Sequence, residues 1–151
     1  MRNPVLVRRA TEADAQSVAQ LSGELGYDAD ADVMRDRIRK VLVSDADLLI
    51  VAVDAPSEVI GWLQAHAAHV VETGFRVEIL GLVVANKTRR LGVGRLLVQE
   101  AESWARSLSA DAVVARTNTK RIESHPFYLA LGYTTTKTQV VYRKALRQSP
   151  P

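Results

Sequence analysis

The sequence predicts an α+β domain of three layers: a mixed, largely antiparallel sheet with helices on both faces. Three observations predict it. Runs rich in aliphatic and β-branched residues follow one another through the first half with only short turns between them, as in a meander. One strand–loop–helix–strand unit occupies residues 77–116, long enough for a parallel crossover. Two further stretches, after Thr11 and around Met34, repeat apolar residues at helical spacing. With 151 residues, 47% hydrophobic and 25% charged, the chain reads as one globular domain over 1–147, and Gln148-Ser149-Pro150-Pro151 reads as a disordered tail.

The elements follow in order. Val5-Leu6-Val7-Arg8 is the first strand. Thr11 and Asp14 make a capping-box-like start; Val18, Leu21 and Leu25 then share one helical face, and Gly26 ends the helix. Met34, Ile38 and Val41 mark a second amphipathic helix, near whose start Asp28, Asp30 and Asp32 suit capping better than attraction of a cationic amine. Residues 48–53 and 59–70 flank the turn Asp54-Ala55-Pro56-Ser57 as a hairpin, and Thr73-Gly74 turns the chain into a strand over 77–84. The third helix runs from about 92 to 109 with Leu97, Ala101, Trp104 and Leu108 toward the core, and residues 112–116 form the fifth strand.

Composition narrows the function. There are no cysteines, so disulfides, thiolate metal sites and a cysteine nucleophile are excluded. No apolar run approaches the length of a membrane span, and Met1-Arg2-Asn3-Pro4 does not begin a signal peptide; the expectation is a cytoplasmic protein with no membrane partner. The net charge of +3 is too small to argue for nucleic acid, and aromatic residues at 5% form no stacking platform. Basic residues cluster at 87–95 and 116–121, which suits a polyanionic small molecule.

The most telling segment is Arg89-Arg90-Leu91-Gly92-Val93-Gly94-Arg95, which follows Ile79-Leu80-Gly81-Leu82-Val83-Val84 and opens the third helix. The first N–H groups of a helix lack internal partners and carry the positive end of its dipole, so they attract anions. Glycines at 92 and 94 let a phosphate approach them. A Walker loop is excluded because Gly94 precedes Arg95-Leu96, and a dinucleotide fingerprint because Leu97 stands where its third glycine belongs.

The spacing Arg89-x-x-Gly92-x-Gly94 resembles the acetyl-coenzyme A loop of the GNAT superfamily of N-acetyltransferases. The resemblance continues through residues 112–116, Asn118, Ser124-His125-Pro126-Phe127-Tyr128, Gly132-Tyr133 and a closing segment at 138–146 that looks like the family's last strand. It implies a GNAT-like acyl-coenzyme A fold and direct acetyl transfer from acetyl-coenzyme A to a primary amine in a ternary complex, without a metal. It also implies that Leu82, Val83 and Val84 pair with pantetheine in a gap between the fourth and fifth strands. Arg89, Arg90, Leu91, Gly92, Val93, Gly94 and Arg95 then hold the pyrophosphate, and Asn118 bonds pantetheine or a nearby backbone group. Tyr128 matches the tyrosine that lies near the coenzyme sulfur and is the acid candidate.

Acetylation must first deprotonate the amine. A group of pKa about 10.4 is neutral in only about one molecule in a few thousand at pH 7, a cost of roughly 4–5 kcal/mol. Glu78, among apolar neighbours on the strand before the loop, is the base candidate; the competing reading is a carboxylate paired with Arg76. His66 and His69 lie three apart on a strand and so point to opposite faces, which argues against a shared metal. The resemblance favours a small-molecule amine over a protein acceptor, and Val140 and Tyr142 suggest a homodimer. The alternative is a non-catalytic acyl-coenzyme A sensor or interaction module on the same fold.

Overall fold

The computed structural model describes residues 4–27, 29–54, 57–88 and 91–147, and the chain divides into two compact units, Met1–Arg116 and Thr117–Pro151. The predicted tail at 148–151 lies outside the described residues, as do Asp28, Arg89 and Arg90.

The first unit holds a five-stranded sheet whose strands lie in chain order: β1 (Leu6–Arg9), β2 (Asp47–Asp54), β3 (Glu58–Val70), β4 (Gly74–Val84) and β5 (Ala112–Ala115). β1 to β4 form an antiparallel meander, and β4 pairs with β5 in parallel. Helices α1 (Ala15–Gly23) and α2 (Ala31–Leu42) connect β1 to β2, and α3 (Val93–Ser107) makes the crossover from β4 to β5.

Side chains alternate along each strand, so each face of the sheet has its own core. On one face Leu49 and Val51 of β2 pack with Ala10, Ala15, Val18 and Ile38, while Met34, Val41 and Trp62 close the edge. On the other, Leu48, Leu63, Ala65, Val77 and Ile79 are buried, and Val93, Leu97, Val98 and Ala101 are buried on α3. Gly61 lets α3 come close: an added Cβ would sit 3.2 Å from Leu97 Cδ1 and 3.0 Å from the Val83 carbonyl.

The connection into α1 is fixed by charge. Thr11 donates its backbone N–H to Asp14 Oδ2 at 2.8 Å, and Arg8 of β1 grips both oxygens of Asp14 at 2.8 and 2.9 Å. These contacts, the arginine first, hold the Asp14 carboxyl below its usual range. Asp30 caps α2 by accepting from the Val33 N–H at 2.8 Å, as its position suggested. α1 is shorter than predicted. It stops at Gly23, and two tight turns carry the chain on to Gly26, whose φ of +84° only glycine adopts readily.

The second unit contains α4 (Ser124–Ala130), ended by Gly132 at φ +92°. The strand expected at 138–146 is absent: among the described residues this unit forms no strand, and Val140, Val141, Tyr142 and Leu146 are exposed. A strand exists only through a neighbour's hydrogen bonds, and α4 offers none. Alternating apolar residues were therefore an insufficient signal.

Candidate functional site

β4 changes character half-way along. Its first part pairs on both sides: Arg76, Val77, Glu78 and Ile79 face Ala112, Val113, Val114 and Ala115 of β5. From residue 81 to 84 it pairs with β3 alone among the described residues, so the edge toward β5 is open. The change falls at a β-bulge: Gln64 lies opposite Gly81 and Ala65 opposite Ile79, which leaves Leu80 as the extra, exposed residue. Gly81 is required here, since a Cβ would lie 2.7 Å from Trp62 Cη2. Trp62 Nε1 is buried without a hydrogen-bond partner among the described residues.

Beyond β4 a short 3-10 turn, Asn86–Thr88, is held by the Thr88 hydroxyl on the Ala85 carbonyl at 3.0 Å. Gly92 then caps α3 with φ +80°, and its carbonyl accepts from the Leu96 N–H at 3.0 Å. The opening N–H groups of α3, at Val93, Gly94 and Arg95, have no intrahelical acceptor. Among the described residues, nothing lies within 4 Å of a Cβ built on Gly92. Leu91 and Arg95 are exposed, whereas Val93 is buried and anchors the turn. Leu82, Val83 and Val84 thus leave one edge of β4 open, and the start of α3 leaves its first N–H groups open.

Glu78 sits where the doubly paired part of β4 ends. Arg76 donates to one of its oxygens at 2.7 Å and Arg116, just past β5, to the other. The pairing with Arg76 that competed with the catalytic reading is therefore real. It uses two of about four lone-pair sites on the carboxylate and leaves room for another donor. The register adds Asp47, a residue that the sequence analysis did not single out. Asp47 of β2, His66 of β3 and Glu78 of β4 are successive cross-strand partners and share one sheet face. His66 Nδ1 lies 2.9 Å from Asp47 Oδ1. His69, three residues on, instead stacks on Phe75 with ring centroids 4.3 Å apart, consistent with opposite faces. Among the described residues no cluster of His, Asp and Glu is arranged to hold a metal.

In the second unit, Tyr128 of α4 meets Phe127 and Tyr133 edge-on at centroid distances of 5.0 and 5.5 Å. Burial in this aromatic cluster pushes its hydroxyl up to about 12. Asn118 uses its side chain locally: Oδ1 accepts from the Lys120 N–H at 2.9 Å, the backbone alternative that its position allowed. Glu123 and His125 are exposed around the start of α4.

Comparison with known proteins identifies the family. The acetyltransferase (GNAT) family model matches residues 15–133. The chain belongs to the GNAT family of acetyltransferases. This GNAT N-acetyltransferase is 26% identical over 147 residues, 95% of each chain, to an aminoglycoside N(6')-acetyltransferase type 1 of Stenotrophomonas maltophilia. It is 33% identical over 129 residues to an aminoalkylphosphonate N-acetyltransferase of Salmonella typhimurium, covering 84% of this chain and 83% of the relative. Its fold matches an aminoglycoside 6'-N-acetyltransferase of Acinetobacter baumannii with a TM-score of 0.83 at 22% identity, over 95% of this chain and 99% of the other. A second aminoglycoside acetyltransferase, solved with a coenzyme A bisubstrate analogue, matches with a TM-score of 0.83 at 20% identity, over 95% and 99%.

Proposed function

We propose that the protein transfers an acetyl group from acetyl-coenzyme A to the primary amine of a small molecule, by direct attack. The observation that carries this reading is the open edge of β4 at 80–84, which leads to the glycine-capped start of α3. An extended amide-bearing arm would complete the unfinished ladder at Leu82, Val83 and Val84. The pyrophosphate would take the first N–H groups of α3, with Arg89, Arg90 and Arg95 supplying charge. The relatives named for aminoglycosides and aminoalkylphosphonates support a small amine as acceptor.

In this reading Glu78 is the base that draws the proton of the acceptor's ammonium away through a water. Tyr128 serves the other half of the reaction. With its hydroxyl pushed to about 12, full transfer to a thiolate near 8.5 would be uphill by roughly 5 kcal/mol. Tyr128 therefore donates a hydrogen bond to the sulfur as charge develops there. We also propose a homodimer, on the strength of the exposed Val140, Val141 and Tyr142; light scattering showing a monomer at micromolar concentration would refute it.

The test is a panel of small amines with acetyl-coenzyme A, read by release of free thiol. Turnover of at least one amine is expected, together with a coenzyme-dependent rise in Tm. Tyr128→Phe should keep that rise while lowering turnover. No turnover and no thermal shift would overturn the reading.

A further inference from the structure

We propose that His66, oriented by Asp47, is the proton acceptor of the amine-activating step; this deepens the reading of Glu78 given above and rests on it. The row Asp47–His66–Glu78 runs across three adjacent strands, and directly opposed residues on one face have Cβ atoms about 4.5–5.5 Å apart. The Asp47 side chain is 15% exposed, the His66 side chain 41% and the Glu78 side chain 16%. The two carboxylates are thus nearly enclosed while the imidazole between them keeps a path to water.

Chemistry assigns the roles. An ionised carboxylate only accepts, so in the neutral ring Nδ1 carries the hydrogen that Asp47 receives, and Nε2 is left as a bare base. Glu78 is already clasped by Arg76 and Arg116, so protonating it would remove the negative charge that strengthens both bonds, whereas protonating His66 adds charge to its bond with Asp47. The other charged groups on this face near the ring are Asp47 from β2, Glu78 and Arg76 from β4, and Arg116 beyond β5. α2 presents the apolar Met34, Ile38 and Val41 to the sheet. His66's neighbours on its own face of β3 are Gln64 and Ala68, both uncharged.

The step balances. One proton of the acceptor ammonium passes through a water on Glu78 to His66 Nε2, forming imidazolium. The freed nitrogen lone pair attacks the thioester carbonyl, the carbon–sulfur bond breaks, and the nitrogen's second proton leaves with the sulfur. The exposed edge of the imidazolium then returns its proton to solvent, so one proton is released for each acetyl group moved.

Two measurements test this. The first needs no acceptor: nitrogen-15 NMR of the intact protein should show the neutral His66 ring protonated at Nδ1, with that preference lost in Asp47→Asn. A ring protonated at Nε2 would overturn the proposal. The second uses acetyl-coenzyme A with 2-aminoethylphosphonate and with neamine. His66→Gln should lower kcat about 10²-fold at pH 7, leave KM and the coenzyme thermal shift unchanged, and recover toward pH 9, where more of the amine is already neutral. His69→Gln, on the opposite face, should leave the profile as it is. A wild-type profile in His66→Gln beside a strong loss in Glu78→Gln would sink the His66 role alone. No turnover of any amine by the wild type would instead count against the proposed function, with the tautomer still deciding the role of the ring.

Discussion

Asp14 and Glu78 are both carboxylates held by arginine, in two regions of the same unit, and they differ in what remains after the arginines are counted. At the β1–α1 corner, Arg8 takes both oxygens of Asp14, the Thr11 N–H takes a further site, and the residue is buried. In the middle of β4, Arg76 and Arg116 take one contact each on Glu78, and its open side continues into His66 and Asp47. The first carboxylate is saturated and can only hold the chain in place. The second retains lone pairs beside a titratable ring at the mouth of an unfinished ladder. On the proposed function, an ion pair with arginine therefore does not separate a structural acid from a chemical one; spare coordination does.

The comparison breaks most readily at Glu78. Glu78→Gln keeps the shape and one acceptor oxygen, so folding should persist while turnover falls by about 10²–10⁴-fold. The loss should shrink at high pH, where the amine is already neutral. A near-normal rate across pH 6–9 would make Glu78 as structural as Asp14.

Next comes a variant that touches neither carboxylate. Acetyl-coenzyme A at 100 times its Kd should add about 2.7 kcal/mol of stability, and Gly94→Val should abolish that shift while the unliganded Tm changes little. Gly94 is the better probe of the pair, because Gly92 at φ +80° would add backbone strain of its own.

Asp14→Asn should do the reverse of Glu78→Gln. Stability should drop by about 1.5–3 kcal/mol, the range for hydrogen bonds to a charged group, while kcat per folded molecule holds. The folded carboxyl lies below its ordinary value of 3.8, so its contribution is present above that value and is lost as pH falls through the lower folded one. Urea melts of the two proteins should converge in strong acid.

The smallest effect is a flat line. A Tyr128 hydroxyl pushed up to about 12 stays protonated through neutral and mildly alkaline solution, so the rate deficit of Tyr128→Phe should be the same at pH 6 and pH 9. A deficit that changes near pH 8 would show an ionising tyrosine.

Much of this was legible in the chain. The meander, the crossover and the cap glycine at 92 follow from local pattern, because turns, helix starts and apolar periodicity are written within a few residues. Glu78 and its partner Arg76 were also visible, being two apart on one strand. Asp47 and Arg116 were not. Both enter the site only through strand register, Asp47 by the β2–β3 hairpin and Arg116 by the parallel crossover through α3, and no short window of sequence carries that. The closing strand failed for the same reason: residues 138–146 have the alternation of a strand, but pairing is a property of two segments.

Under the proposed function, the open edge of β4 also acts as a ruler. Five residues at about 3.3 Å each give a slot of roughly 16 Å, bounded by the last rung with β5 at Ile79 and by the end of β4 at Val84. Whatever lies in the slot has its length checked before its chemistry. An arm shorter than the slot leaves its acyl end short of Glu78 when its phosphates sit on α3, and a longer one must buckle at the Leu80 bulge. Deleting two residues between 80 and 84 would keep every side chain on its face yet move that mark by about 6.6 Å. Such a protein should still grip the coenzyme and present its thioester in the wrong place.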